Sequence, residues 1–322
     1  MNKEEKTTML PKLIVIEGTN ASGKSSLGVE LASRFGGEII SADSRQVFRR
    51  MDLGSGKITP EEMKGVPHHL LDVRSPGEFF SMADFQHLAY EAIDGILSRG
   101  RLPFLVGGTG LYVDAVADGY DLSDKAPDHR LRAHLETFDT PELYEMLKQK
   151  LPDTDIDPRN RHRVMRMLEK LEAGDRAPAG KTPRYELLKL GVTWPREILK
   201  KRIDERLETR LQQGMVDEVR ALLDEGVSEE FLIKLGLEYK YLTWYLTGKI
   251  GYEQMKEELG NAIKKFAKRQ MTWFRRDGRI HWLNMADNPV SEASELIEGF
   301  LNGINPAGNG IFCAQSAQNR TK

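Results

Sequence analysis

The sequence has a single cysteine, Cys313, in a polar C-terminal stretch of a chain of 322 residues. One cysteine cannot form a disulfide within a chain or build a cysteine-ligated metal site. Residues 1–11 lack the apolar stretch of a signal peptide, and no later apolar run approaches the roughly 18 residues that cross a membrane. These absences predict a soluble protein of a reducing compartment such as the cytoplasm, with no membrane partner.

The sequence also lacks a large net charge, because 47 Lys and Arg stand against 49 Asp and Glu for a formal total of −2. This balance excludes a protein that binds nucleic acid through overall positive charge, but it leaves room for local basic patches. With 39% hydrophobic residues, the chain can bury one sizeable core and a smaller lobe, but not three ordinary domains. Nothing in the sequence requires more than a monomer.

Short apolar runs alternate with helical patterns in the first third of the chain. Residues 12–17, 38–42 and 102–106 each have the β-branched, apolar character of a buried parallel strand. Helical patterns start at Lys24 and cover about residues 82–97. Strands that alternate with helices predict a parallel α/β sheet flanked by helices, of the P-loop NTPase-like class.

From about residue 117 to residue 190 the apolar runs give way to charged helical patterns, which predict a mainly helical insertion domain. A strand at 189–193, a long helix from 195 to 213, a helix at 252–276 and an edge strand at 280–283 then return the chain to the core. The predicted organisation is a flexible N-terminus at 1–11, a catalytic core at 12–117 and 190–300, an insertion at 118–189, and a disordered tail at 303–322.

The strongest motif is the octapeptide Gly18-Thr19-Asn20-Ala21-Ser22-Gly23-Lys24-Ser25, which fits G-x-x-x-x-G-K-[ST] between a predicted strand and a predicted helix. Such a loop surrounds phosphate oxygens with backbone N–H groups, and the helix N-terminus adds a partial positive charge. Lys24 adds a full charge, and Ser25 is a candidate ligand for Mg²⁺. The motif predicts a phosphate-rich substrate.

The segments that follow the other two strands carry the next candidates. Kinases and NTPases usually place a metal-binding carboxylate at the end of a second apolar strand, whereas residues 107–110 here read Gly-Gly-Thr-Gly, with no acid before Asp114. These glycines fit a close approach to a ligand or a tight turn. Asp43, just past the second strand, is either a proton acceptor beside the P-loop or a helix N-cap.

Histidines and basic clusters offer weaker signals. Adjacent histidines seldom face one metal ion, so His68 and His69 are predicted to have structural or substrate-contact roles. Residues 159–166 contain four arginines and His162, and residues 264–279 contain seven basic residues interleaved with Phe266, Trp273 and Phe274. Such clusters suit phosphate contacts and base stacking, although solvated helix faces and core aromatics explain them as well.

Taken in order, these segments resemble the tRNA dimethylallyltransferases, also called tRNA isopentenyltransferases, from about residue 13 to residue 283. Seven segments carry the resemblance: the P-loop at 18–25, and residues 41–48, 66–72, 83–86, 105–112, 163–166 and 267–274. The resemblance implies transfer of a dimethylallyl group from dimethylallyl diphosphate to the N6 amine of the adenosine adjacent to the tRNA anticodon, with Mg²⁺ as cofactor. A diphosphate leaving group requires a P-loop and cations, but not the ATPase carboxylate that the sequence lacks.

The resemblance also implies roles for individual residues. Asp43 would hold or deprotonate the amine, Asn20 would stand near the bridging diphosphate oxygen, and Arg202, with Arg206 beside it, would contact the diphosphate held by residues 18–25. The implied tRNA contacts are Asp43, Ser44, Arg45, Gln46, Thr109, Arg132, His162, Arg163, Val164, Met165 and Arg166. Because an enzyme reaches a stacked base by extruding it, Ser44 to Gln46 would contact a flipped base.

Three departures from the family pattern indicate a divergent member or a second copy. Asn20 replaces a family threonine, residues 48–51 replace a Tyr-Arg-Gly pattern, and residues 235–239 replace an Ile-Gly-Tyr segment. An amide still donates a hydrogen bond. The alternatives are an isopentenyltransferase acting on free AMP or ADP, a small-molecule kinase, and a catalytically weakened tRNA-binding paralogue. The basic segment 159–166 argues against the first, since a small acceptor needs no such arm.

Overall fold

A computed structural model describes residues 10–122, 129–174 and 180–304. Most of the predicted flexible N-terminus and disordered tail, residues 1–9 and 305–322, lies outside the described residues. Within them, six strands form one parallel sheet in the order β3-β2-β4-β1-β5-β6. The strands are β1 (Lys12–Gly18), β2 (Glu38–Ala42), β3 (His68–His69), β4 (Pro103–Gly107), β5 (Glu186–Thr193) and β6 (Ile280–Asn284). This confirms the predicted parallel α/β sheet, including β6 at its edge.

The sheet is covered by helices on both faces, and the alternation of side chains along β1 shows why its sequence is apolar throughout. Ile14 and Ile16 pack on one face in a core with α1 (Lys24–Arg34). Leu13 and Val15 pack on the other face with α3 (Met82–Ser98). Because successive strand residues point to opposite faces, a strand that is buried on both sides has no polar alternation.

Reciprocal side-chain caps begin two of the helices. Ser81 begins α3 with a reciprocal cap, in which its hydroxyl accepts the N–H of Asp84 and the Asp84 carboxylate accepts the N–H of Ser81. Asp139 and Glu142 form the same arrangement at the helix Thr140–Lys150. Each pair satisfies two backbone donors that the first turn leaves open.

The remaining helices of the described chain include the two that the sequence predicted at 195–213 and 252–276. They comprise α2 (Pro60–Met63), α4 (Gly110–Ala117), α5 (His129–Glu136), α6 (Thr140–Lys150), α7 (Arg161–Glu172), α8 (Arg196–Gln212), α9 (Met215–Asp224), α10 (Glu229–Leu235), α11 (Leu237–Leu246), α12 (Tyr252–Phe274) and α13 (Pro289–Leu301). Helices α8, α9, α11 and α12 share a core that includes Ile203, Met215, Tyr239 and Leu259. None of the described helices is long and apolar enough to span a membrane.

The chain divides into two compact units, Tyr120–Thr182 and the rest. The smaller unit has its own core, in which Leu135, Leu143, Leu147, Val164 and Leu168 are buried. Its two ends meet where the N–H of Asp121 donates to the carbonyl of Gly180 at 2.8 Å. The predicted insertion at 118–189 therefore extends too far, because β5 begins at Glu186 and pairs with the central strand β1.

Candidate active site

The carboxyl ends of β1, β2 and β4 bring the predicted loops to one edge of the sheet. The P-loop joins β1 to α1, and Gly23 adopts the left-handed conformation, φ 88°, that glycine accepts without strain. At the end of β4, a Cβ on Gly107 would lie 2.1 Å from the carbonyl oxygen of Ala42. Glycine at 107 is therefore required by the neighbouring strand, which favours packing over a ligand as the reason for this residue.

The other two glycines of the β4–α4 loop are also packed against protein. A Cβ on Gly108 would lie 3.0 Å from the amide nitrogen of Gln270, and one on Gly110 would lie 2.5 Å from the ring of Trp273. Trp273 also donates its Nε1 hydrogen to Asp114 at 2.9 Å. Trp273 and the buried Phe274 thus belong to the packing of α12. This agrees with the alternative that the aromatic residues of the 264–279 cluster are core residues.

Cations surround the P-loop in excess of the nearby carboxylates. Burial and the neighbouring Arg206 guanidinium lower the pKa of Lys24 to about 8, and burial with Arg210 lowers the pKa of Arg206 to about 10. Arg45 and Arg210 share one buried carboxylate, that of Glu238, at 2.7 and 3.8 Å. A bound anion would restore both pKa values, so this pocket gains free energy by taking a negative ligand.

Arg202 lies against the P-loop. Its Nε donates to the carbonyl of Ala21 at 3.0 Å, and its guanidinium stacks 4.5 Å from the ring centre of Trp194. Together with Arg206, it lines an open cleft of about 490 Å³ that also contains Asn20, Lys24 and Ser25. The predicted diphosphate residues are thus brought together by β1, α1 and α8.

Asp43 lies at the end of β2, in a turn and not at a helix. Its Oδ1 accepts the N–H of Arg45 at 2.9 Å, which closes a local turn of the kind that aspartate favours. The N-cap alternative is wrong, because the next helix of the described chain is α2 at Pro60. Asp43 is 8% exposed and lines a small cavity together with Lys24, Ser25 and Gln46.

The neighbours of Asp43 are held by other protein groups. The N–H of Ser44 donates to the hydroxyl of Thr109 at 3.2 Å, so these two predicted tRNA contacts fasten the β2 and β4 loops to each other. Gln46 accepts the hydroxyl of Ser41 and donates to the carbonyl of Gly56, and Arg45 binds Glu238. Their contact with a base stays a prediction.

His68 and His69 are the two residues of strand β3, which pairs with β2. His69 contacts the carboxylate of Glu38 at 2.7 Å, and the Nδ1 of His68 lies 2.8 Å from the carbonyl oxygen of Val66. Burial lowers the pKa of His68. No group of three or more His, Cys, Asp or Glu side chains that could hold a metal ion occurs among the described residues.

In the insertion unit, the predicted tRNA residues fall into three environments. Val164 and Met165 are buried in the core of the unit, so their side chains cannot reach a tRNA, and this part of the prediction is corrected. Arg132 and Arg166 both bind the buried carboxylate of Glu169. His162 and Arg163 are exposed on α7. A helix places one face inward, so a run of five consecutive contacts was not attainable.

Gln270 is a site residue that the sequence did not single out. Its Oε1 accepts the backbone N–H of Asn20 at 3.0 Å, and its Nε2 donates to the carbonyl of Gly108 at 2.8 Å. It therefore ties the P-loop to the β4–α4 loop from α12. Glu238 and Arg210 were missed as well. Gln270 and Glu238 could have been found from their place in the sequence, because they lie in segments 267–274 and 235–239, which were compared with the family pattern.

Comparison with known proteins identifies relatives over most of the chain. The family model for IPP transferase matches residues 46–277. A tRNA dimethylallyltransferase 2 of Shewanella sediminis is 44% identical over 294 residues, which is 88% of this chain and 97% of that protein.

Two solved structures are similar in fold. The tRNA isopentenylpyrophosphate transferase of Bacillus halodurans has a TM-score of 0.71 at 39% identity and covers 90% of this chain and 97% of its own. A eukaryotic dimethylallyltransferase acting on tRNA has a TM-score of 0.78 at 25% identity, and the match covers 95% of this chain and 82% of that one. This chain belongs to the IPP transferase family, that of the tRNA dimethylallyltransferases.

Proposed function

We propose that the protein transfers a dimethylallyl group from dimethylallyl diphosphate to the N6 amine of the adenosine adjacent to the anticodon in tRNA. The observation that carries this proposal is the P-loop pocket, in which Lys24, Arg202 and Arg206 lie around one cleft that the buried Asp43, at the end of β2, also lines. Such a pocket can hold a diphosphate and receive a proton at adjacent positions.

In the proposed reaction, the N6 nitrogen forms a bond to C1 of the dimethylallyl group, and the bond from C1 to the bridging oxygen breaks. The electron pair of that bond leaves with the diphosphate, where Lys24 and the two arginines stabilise the added charge. The proton that N6 loses passes to the carboxylate of Asp43. Asn20 lies at the P-loop, where its side-chain amide can donate to a diphosphate oxygen.

The donor set also suits Mg²⁺, which typically binds one or two protein oxygens, several waters and substrate phosphates. The exposed Ser25 and the carboxylate of Asp43 line one cavity with Lys24. Ser25 would hold the ion, which supplies charge neutralisation at the diphosphate when bound. Loss of transfer on chelation, restored by added Mg²⁺, would support this role.

The tRNA is proposed to bind through its anticodon arm. The exposed His162 and Arg163 on α7 offer phosphate contacts in the insertion unit. In the core, Ser44, Gln46 and Thr109 lie beside Asp43, where an extruded adenine would have to be held. We also propose that the protein is a cytoplasmic monomer, and light scattering after size exclusion would measure its mass.

The test is incubation of the protein with Mg²⁺, labelled dimethylallyl diphosphate and either unmodified tRNA or AMP, followed by mass analysis of the nucleosides. Label on tRNA adenosine supports the proposal. Label on AMP alone would move the function to a free-nucleotide isopentenyltransferase. Binding of tRNA without product would indicate the weakened paralogue, and transfer of phosphate from ATP would indicate a kinase.

A further inference from the structure

The segment between β5 and α8 places an indole beside the P-loop. Trp194, half-buried, donates its Nε1 hydrogen to the carbonyl of Ser22 at 2.9 Å. The same ring lies under the guanidinium of Arg202, 4.5 Å from ring centre to Cζ. Arg202 in turn binds the carbonyl of Ala21. Two consecutive carbonyls of the loop are therefore held by two side chains that also hold each other.

These contacts hold the loop where a residue with a side chain takes the left-handed conformation. Ala21 has φ 59°, a left-handed conformation that a side-chain-bearing residue adopts at a cost of roughly 1–2 kcal/mol. A bond to its carbonyl offsets that cost. Because a peptide unit is planar, a bonded carbonyl also fixes the direction of the N–H of the next residue, and such N–H groups are the phosphate ligands of the loop. Trp194 and Arg202 thus restrict the orientation of the loop N–H groups at Ser22 and Gly23.

Arg202 also depends on Trp194 for its own direction. The Nε hydrogen is occupied by Ala21, and stacking on the indole fixes the plane of the guanidinium. The Nη groups then lie in the plane set by the ring, on a residue that lines the P-loop cleft. A guanidinium loses less entropy on binding an anion when its plane is already fixed.

We propose that Trp194 is a positioning residue for the diphosphate site, which orients Arg202 and the P-loop without touching the reacting atoms. The inference rests on the proposed function only in taking the anion to be the diphosphate of the prenyl donor. It predicts that Trp194 affects binding of the diphosphate-bearing substrate and leaves binding of tRNA unchanged.

The test compares Trp194→Phe, which keeps a stacking ring and removes the donor, with Trp194→Leu, which removes both. We expect the KM for dimethylallyl diphosphate to rise roughly five- to tenfold in Trp194→Phe and roughly ten- to fiftyfold in Trp194→Leu. The KM for tRNA should stay within about twofold. Trp244→Phe is the matched control, since Trp244 also lies under a cation, Lys240, at 4.5 Å, but on α11.

A second readout does not depend on turnover. Inorganic diphosphate added to the wild-type protein should change the tryptophan fluorescence, because the anion alters the charge above the Trp194 ring. The change should disappear in Trp194→Phe and persist in Trp244→Phe. If the wild type binds diphosphate in this way but labels no tRNA, the role of Trp194 stands and the proposed function fails.

Two results would overturn the inference. In the first, both Trp194 variants have the same KM for dimethylallyl diphosphate as the wild type, and the fluorescence change persists in Trp194→Phe. The other is an equal rise of both KM values together with a large fall in Tm, which is the signature of a general loss of structure. Should Trp194→Leu fail to fold, Trp194→Phe alone decides between these results, because it preserves the ring.

Discussion

Glu17 and Lys189 face each other across the adjacent strands β1 and β5, with Glu17 Oε1 3.3 Å from Lys189 Nζ. The ammonium lies closer to Asp277, at 2.7 Å, and also faces Asp114 at 3.7 Å. Neither oxygen of Glu17 has a hydrogen-bond partner of good geometry in the described chain. One buried cation is thus shared by three carboxylates directly beneath the P-loop, and Glu17 is the least well satisfied of them.

This arrangement predicts a pH-dependent stability. Burial raises the pKa of Glu17 from 4.5 to about 7, against the opposing effect of Lys189. A carboxyl group whose pKa is higher in the folded state stabilises the protein fully below pH 4.5, and this contribution is lost as the pH rises through 7. The shift corresponds to roughly 3 kcal/mol.

Glu17→Gln should therefore flatten the dependence of stability on pH. Between pH 5 and pH 8, the free energy of unfolding of the wild type should fall by more than that of the variant, by roughly 2–3 kcal/mol. Urea unfolding at both pH values measures the difference. Parallel curves for the two proteins would show that Glu17 is ionised throughout this range, with Lys189 as its effective partner.

Asp43→Asn should abolish transfer with little effect on tRNA affinity. Asparagine still offers an Oδ1 acceptor to the N–H of Arg45, so the turn after β2 is kept while the proton acceptor is lost. We expect single-turnover rates to fall by roughly 10²–10⁴. Filter binding supplies the tRNA affinity. Undiminished turnover would remove Asp43 from the chemistry, and a parallel loss of affinity would give it a docking role.

The sequence predicted the sheet well because parallel strands buried on both faces are apolar along their whole length, as β1 is. The P-loop was equally clear, since its glycines, Lys24 and Ser25 are fixed by one backbone geometry. The sequence did not reveal contacts between residues that are distant along the chain. The approach of Gly107 to Ala42, the bridge from Gln270 to Asn20 and the ion pair of Glu238 with Arg45 all depend on packing between elements.

Two residue predictions in the insertion unit, those for Val164 and Met165, failed for a related reason. A consecutive run such as residues 162–166 contains both faces of a helix, and only the hydrophobic pattern of the whole unit separates them. Val164 and Met165 fill the core, and Arg166 shares Glu169 with Arg132. The segment that resembles a tRNA-binding motif therefore also holds the unit together.

Arg163 is exposed, whereas Arg166 pairs with the buried Glu169, so substitution of the two arginines should have different effects. Arg163→Ala should weaken tRNA binding and reduce the slope of log K against log salt by about one, because one phosphate contact is lost. Its stability should change by less than about 0.5 kcal/mol. Arg166→Ala should destabilise the protein by roughly 1–3 kcal/mol, since it removes a partner of the buried Glu169.

Binding measured at several salt concentrations, with Tm for each variant, separates the two roles. Lys148→Ala is the control, because Lys148 is an exposed cation on α6 of the same unit. An unchanged slope in Arg163→Ala would reduce this residue to a surface feature of α7.

Asn20→Thr tests whether the departure from the family loop has changed the enzyme. The backbone N–H of Asn20 is bound by Gln270, so the loop is held at this position without help from the Asn20 side chain. Its φ is not among the positive values, so the backbone conformation at position 20 is open to threonine. A hydroxyl donates to an oxygen as an amide does, and the transfer rate should be preserved or should rise.

Asn20→Ala is the matched control, because it keeps the backbone contact and removes the donor. We expect it to lower the single-turnover rate by roughly five- to tenfold, the effect of one hydrogen bond. A large loss in Asn20→Thr with an equal loss in Asn20→Ala would mean that the site has been rebuilt around the amide. Because Gln270 fixes the backbone in all three proteins, that loss would belong to the side chain at position 20 and to its contact with the substrate.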